Sequence, residues 1–218
     1  MLKYTGNMKP EVSSFETHDN AVNGYLKGIA TNIGQLNASW NDDVSHETLT
    51  SFNQALTDLN EALIKVHNSV GEYFTAIQNE LNVWGQGQSV PLPSLETIET
   101  QDISASAGDG SIMYDENQVL STLKVMENAI TALTNKISEF KPHAVSLEGS
   151  DASIIDTIDS NLYGAASSYS KMETPLNEIK DLITKVRSMY VKKASNIGTS
   201  SATNGGGTGK DTVSYLES

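Results

Sequence analysis

His46-Glu47 opens like the helical zinc-protease motif, in which two histidines four residues apart hold a metal and the glutamate beside the first serves as base. Position 50 is Thr, so the second imidazole is missing. The four histidines, His18, His46, His67 and His143, share no ligand-like spacing, and all are expected on the surface. Asp42 and His46 lie four apart, but one such pair does not make a metal site. Gly205 to Asp211 imitates a phosphate loop; Asn204, however, stands where its first glycine belongs, and Asp211 where the magnesium-binding hydroxyl is needed. No strand precedes it to hold its amides around a phosphate. Acidic pairs such as Asp42-Asp43 are expected to cap a helix. Catalytic carboxylates need a cleft that shifts their pKa values, and no candidate for one stands out. With no cysteine, thiolate catalysis, disulfides and cysteine metal sites are all excluded. The residues therefore predict a protein that is not an enzyme and that needs no metal or cofactor.

The elements that would have to position any such group are helices. The chain has 218 residues, enough for one or two small domains, and its aromatic share of 6% calls for an aliphatic core, which suits helix bundles. Its formal charge of −13 would repel phosphate backbones and anionic lipid, so nucleic acid and membrane surfaces are not expected partners. Basic charge gathers only late, at Lys180, Lys185, Arg187, Lys192 and Lys193, where cations suit the C-terminal end of a helix. No run of 18 apolar residues is present to insert stably in a membrane. Met1 to Asn7 lacks the apolar stretch of a signal peptide, so export would follow a leaderless route.

Four segments carry apolar residues at alternating spacings of three and four, the seam of packed helices and coiled coils. The first is Val22, Leu26, Ile29, Ile33, Leu36 and Trp40, preceded by Val12 and Phe15, with Ser13 and Glu16 as its capping box. The second runs from Leu49 through Phe52, Leu56, Leu59, Leu63, Val66, Val70 and Tyr73 to Ile77, with Leu81 and Trp84 beyond. The third spans Val119 to Phe140, and the fourth Ile155 to Tyr190. Pro175 interrupts the fourth; it predicts a kink, or a restart with Thr174 as cap and Pro175 as first residue. The seam tyrosines, Tyr73, Tyr169 and Tyr190, are expected at core edges with their hydroxyls in water.

Short breaks divide the seams. Ser39 to Asp43 separates the first two, with Asp42 or Asp43 suited to cap the second helix, and Pro142 to Ser150 separates the last two, with Ser150 or Asp151 as cap. Short connections make antiparallel neighbours. The fold expected is all-α: a first helical hairpin over 12–84, a flexible linker over 85–115, a second hairpin over 116–193 and a disordered tail over 194–218. Two such hairpins hide both seams by forming a four-helix bundle, or each pairs with another chain. Ala55, Ala62 and Ile64 are the apolar positions expected on the outer faces, where a partner helix would dock.

The two turns carry Trp40-Asn41-Asp42 and Leu147-Glu148-Gly149. With Ile33-Gly34-Gln35-Leu36 before the first and Phe52, Leu56 and Leu59 after it, the chain resembles the WXG and LXG helical-hairpin proteins of the Gram-positive type VII secretion system, as a diverged tandem copy over about two thirds of its length. The first turn keeps the family's Trp and lacks its Gly; the second keeps Gly and lacks Trp. The family's export signal, Tyr-x-x-x-Asp/Glu, has one match here, Tyr169 with Glu173. The resemblance implies a secretion substrate or a co-secreted or accessory partner, leaderless, cytoplasmic before export. Such a protein would bind another helical protein, as a homo- or heterodimer, or the secretion machinery. The alternatives are a structural or adhesive helical module of a phage or cell-surface assembly and, third, a membrane-active helical toxin.

Overall fold

The computed structural model describes residues 3–4, 8–85, 102, 113–140, 147–148 and 152–203. It is all-α, with two minimal strand pairs. In chain order the elements are β1 (Lys3–Tyr4), α1 (Met8–Ser39), β2 (Trp40–Asn41), α2 (Asp43–Val83), β3 (Met113–Tyr114), α3 (Glu116–Glu139), β4 (Leu147–Glu148), α4 (Ala152–Lys171) and α5 (Glu173–Thr203). Met1–Ile183 form one compact unit and Thr184–Ser218 a second, which is helical as far as Thr203.

The seams are the core. Val22, Leu26, Ile29, Ile33, Leu36 and Trp40 of the first are completely buried, as are Phe52, Leu56, Leu59, Leu63, Val66 and Ile77 of the second. Val119, Leu123, Met126, Ile130 and Leu133 of α3 join them, with Ile158, Ala165, Tyr169 and Met172 on the fourth arm. Each Leu or Ile withdrawn from water in this way contributes about 1.5–3 kcal/mol. Ala55 and Ala62, expected on an outer face, are buried as well; their small side chains allow close approach at the flank of the seam, and Ile64 is half-buried.

The packing differs from two self-contained hairpins. α1 lies along α2, α3 lies along α1, and α4 lies along α2, whereas α3 and α4 are not close neighbours. The strands explain the directions. β1 pairs antiparallel with β4, which sets the start of α1 beside the start of α4. β2 pairs antiparallel with β3, which sets the start of α2 beside the start of α3. α1 is therefore antiparallel to both α2 and α3, and α2 is antiparallel to α4.

Helix ends follow their chemistry, with three shifts from expectation. Asp42 caps α2: its carboxylate accepts from the Ser45 amide at 2.6 Å, while the Ser45 hydroxyl oxygen accepts from the Asp42 amide at 2.8 Å, a reciprocal box. Asp115 caps α3 by accepting from the Gln118 amide at 3.0 Å. α1 starts at Met8, so Ser13 lies inside the helix, where its carbonyl accepts from Thr17, and is not the cap. The fourth arm breaks at Met172 and restarts at Glu173, which puts Pro175 third in α5. Within the first turn of a helix the missing proline N–H costs no bond, so the restart absorbs Pro175 without a cap at Thr174. α5 runs on to Thr203, past the boundary expected at 193. The linker expected over 85–115 ends in β3 and the Asp115 cap; its stretches 86–101 and 103–112, the cap expected at Ser150 or Asp151, and the tail from 204 lie outside the described residues.

Because Leu59 is completely buried, Leu59→Ala should cost about 2–5 kcal/mol in urea unfolding followed by circular dichroism. Val125→Ala, at a position 53% exposed, should change stability by no more than about 0.5 kcal/mol.

Candidate functional site

The two turn motifs occupy equivalent places. Trp40 stands opposite Tyr114 and Asn41 opposite Met113. In the other pair Leu147 stands opposite Tyr4 and Glu148 opposite Lys3. Each turn thus lays its first residue against the tyrosine of the strand that leads into the other half. By this register Trp40 corresponds to Leu147, Asn41 to Glu148 and, one residue on, Asp42 to Gly149, which itself lies outside the described residues. The units β1-α1-β2-α2 and β3-α3-β4-α4 share an element order and equivalent strand pairings, each turn held by the other half, but α1 packs on α2 while α3 does not pack on α4. The Asp115 amide donates to the Ser39 carbonyl at 3.0 Å and lengthens the β2–β3 pairing by one bond.

Trp40 is fully buried at the base of this turn. Asp42, where the family pattern has Gly, has φ −155°, an extended conformation open to any residue. Nothing in the backbone there asks for glycine, and an acid adds the N-cap that glycine could not.

Midway along the bundle is a polar cluster that the spacing of the sequence did not reveal. His18 and Asp19, adjacent on α1, reach the three neighbouring elements. His18 Nε2 lies 2.8 Å from the Lys136 carbonyl of α3, and its Nδ1 lies 3.0 Å from the Tyr169 hydroxyl of α4. A carbonyl only accepts, so in the neutral ring Nε2 carries the hydrogen and Nδ1 accepts from the Tyr169 O–H. Asp19, 2% exposed, accepts from His67 Nδ1 of α2 at 3.1 Å. Phe140 and Tyr169 close over His18, their ring centroids 5.8 and 5.4 Å from its own, and Phe15 stands 6.0 Å from His67. His18 and His67 are therefore half-buried between helices, not out on the open surface, and each has a bonded partner there. His46 is exposed as expected, and His143 lies outside the described residues.

Burial pushes the Asp19 carboxyl above its ordinary value, against the pull of the His67 hydrogen bond and of the charges His67 and His18 can carry. Burial also raises the Tyr169 hydroxyl, with the Asp19 charge adding to it, and it raises Tyr73 to about 12, helped by Glu11 and Asp159. Tyr169 is 3% exposed and its hydroxyl is bonded to His18, not to water. Glu173, the other end of the Tyr-x-x-x-Glu match, is exposed on the far side of the Met172 break. Both line the same cleft, but with Tyr169 buried and its hydroxyl engaged by His18 while Glu173 is exposed. The side chain of Tyr190 lies outside the described residues.

Where α3 fails to close on α4 and α5, a cleft of about 400 Å³ opens, with Ile137, Phe140, Ala166, Tyr169 and Leu176 among its walls and Lys180 at its edge. Among the described residues no group of three or more His, Asp or Glu side chains could hold a metal, and no helix is long and apolar enough to cross a membrane. Comparisons with known proteins find no matching family model, curated sequence or solved structure.

Tyr169→Phe removes one hydrogen bond and leaves His18 Nδ1 buried without its donor, so it should cost about 1–3 kcal/mol while the helical spectrum is retained. The raised Asp19 gives a signed pH dependence. The folded chain takes up this proton at higher pH than the unfolded chain does, so the Asp19 contribution grows as pH falls through its raised pKa and is lost as pH rises. Urea midpoints of the wild type and Asp19→Asn, compared from neutral pH down toward the ordinary carboxylate range, should show the wild type gaining on the variant. A constant difference would show that Asp19 does not titrate in this way.

Proposed function

We propose that this protein is a non-enzymatic component of the type VII secretion kind, a substrate or a co-secreted or accessory partner, working by association of helices. The observation that carries the reading is the common register of Trp40-Asn41 and Leu147-Glu148. Two helix connections carrying the family's Trp-x and Leu-x letters stand at corresponding strand positions. Exposed apolar side chains at the ends of the long helices, Val44 beside the first turn and Val83 and Trp84 at the end of α2, offer contacts for a helical partner or for the secretion machinery. Internal bonding of Tyr169 favours the accessory or co-secreted role over that of an autonomous substrate, since the tyrosine of the Tyr169/Glu173 match is not free to be read. The chain would be made in the cytoplasm and leave it through the type VII machinery.

The test is to express the tagged chain in a Gram-positive host with an active type VII system and in the same host lacking the system's ATPase. The expected result is chain in the culture supernatant, or bound to a co-exported protein there, only when the ATPase is present. The same distribution in both strains would overturn the reading.

A further inference from the structure

We propose that His18 is a pH-sensitive latch between the helices: on taking up a proton it reverses its bond with Tyr169, and the Tyr169 hydroxyl turns its own hydrogen to Asp19 Oδ1. This does not rest on the secretion reading. It rests on which atoms of the polar cluster have partners and on the directions in which those bonds can run.

In the neutral cluster three donors are used and one acceptor is bare. His18 Nε2–H donates to the Lys136 carbonyl at 2.8 Å, the Tyr169 hydroxyl to His18 Nδ1 at 3.0 Å, and His67 Nδ1–H to Asp19 Oδ2 at 3.1 Å. Asp19 is 2% exposed, and its Oδ1 has no hydrogen-bond partner among the described residues. A carboxylate oxygen withdrawn from water without a donor is costly. Once protonated, Nδ1 can no longer accept; it donates, and the Tyr169 oxygen has the lone pairs to receive it. The phenol hydrogen must then find another acceptor. After burial, the Asp19 charge is what resists ionisation of this hydroxyl, so the carboxylate acts at the same oxygen. Turned that way, the hydrogen supplies the bond that Oδ1 lacks.

The charges around His18 agree with this assignment. Asp19 adjoins it on α1, and α2 brings His67, already bonded to Asp19. On α3 the Lys136 ammonium is paired with Glu139 at 2.7 Å, α4 brings Tyr169, and α5 brings Glu173 and Lys180 to the cleft. Glu139 and Glu173 are exposed, where water screens them, whereas Asp19 is buried. The imidazolium therefore finds its counter-charge at Asp19. The bonds it makes are charge-assisted, hence shorter and stronger than those of the neutral ring. They run from Lys136 of α3 through His18 of α1 and Tyr169 of α4 to Asp19, and on to His67 of α2, so acid tightens the four helices on one another. The cleft follows, because Tyr169 and Phe140, their ring centroids 4.9 Å apart, both line it. A proton on Asp19 instead would remove the counter-charge and leave Tyr169 donating to a neutral ring. The two sites compete for the first proton.

The test is an NMR titration of the full chain, isotope-labelled in carbon and nitrogen, from about pH 8 to about pH 5, the range in which imidazole changes charge. His18→Asn identifies the His18 signals by their loss. The expected result is that the Tyr169 Cζ signal moves with the His18 ring nitrogens at one midpoint. The Asp19 carboxyl carbon should keep its carboxylate position through that midpoint and shift only at lower pH. In Asp19→Asn, which removes the counter-charge and keeps the shape, the His18 midpoint should fall by about one pH unit, a tenfold loss of proton affinity. A His18 ring that keeps the neutral pattern throughout would overturn the proposal. So would a Tyr169 signal that stays still or follows the Asp19 carboxyl carbon, or a His18 midpoint that Asp19→Asn does not lower. Should Asp19→Asn fail to fold, the titration of the wild type alone decides.

Discussion

A helical hairpin has two apolar seams but only one internal contact to bury them. α1 and α2 touch along one line, and with seams this long, from Val12 to Trp40 and from Leu49 to Leu81, much of the apolar surface would stay wet. Everything else in the unit answers that requirement. α3 covers the open side of α1, and α4 the open side of α2. The small Ala55 and Ala62 at the flanks let a second helix approach the same cylinder. Because hydrophobic burial is not directional, it fixes that the second half must pack but not how far along. The direction and height of packing come from polar groups: the short strand pairs at the two ends and His18 with Asp19 in the middle.

Those polar fasteners are few and placed where a slip would be most costly. A one-residue shift of β3 against β2 would lose the backbone bonds of Trp40 and Asn41 and the Asp115–Ser39 bond together. A one-turn slide of α3 along α1 would take the Lys136 carbonyl away from His18 and leave a half-buried imidazole N–H without that acceptor. Aliphatic seams tolerate such slides far better, since one Leu fills much the same space as the next. The cluster is thus better described as a device for register than as a source of stability. Asp19, whose burial raises its pKa and whose Oδ1 has no hydrogen-bond partner among the described residues, shows that this specificity carries an energetic cost.

Much of this is legible in the sequence because burial writes itself as period. Most seam residues named from spacing are buried, though Trp84 is exposed and Ile137 and Phe140 only half-buried; Asp42 is the cap that its type and position suggest, and Pro175 falls at the restart of the fourth arm. What is not legible is non-local or polar. Strands of two residues carry no alternation to detect, so the pairing of each turn with the opposite entry strand has no signature in composition. Short breaks of similar length suggest two equal hairpins, yet α3, at 24 residues, is shorter than α1, at 32, and follows α1 instead of α4. The half-buried histidine has a signal that hydropathy alone conceals. The first seam steps from Phe15 to Val22, seven residues, and the slot between them is filled by His18 and Asp19. A gap of one heptad in an otherwise continuous seam is where a polar pair should be expected inside.

The same gap explains why a half-buried histidine here does not resemble a catalytic one. A general base needs a nitrogen with its lone pair free toward a substrate, and His18 has both nitrogens committed, one to a carbonyl and one to a phenol. The Tyr169 hydroxyl, raised by burial, is no readier to lose its proton. Both groups are immobilised by the helices they join, and the cleft beside them has a mixed lining, Ile137, Phe140 and Leu176 with Ser138, Glu173 and Lys180 among its walls. The chain thus uses its partly buried titratable groups, with two strand pairs in matched register, to align its helices.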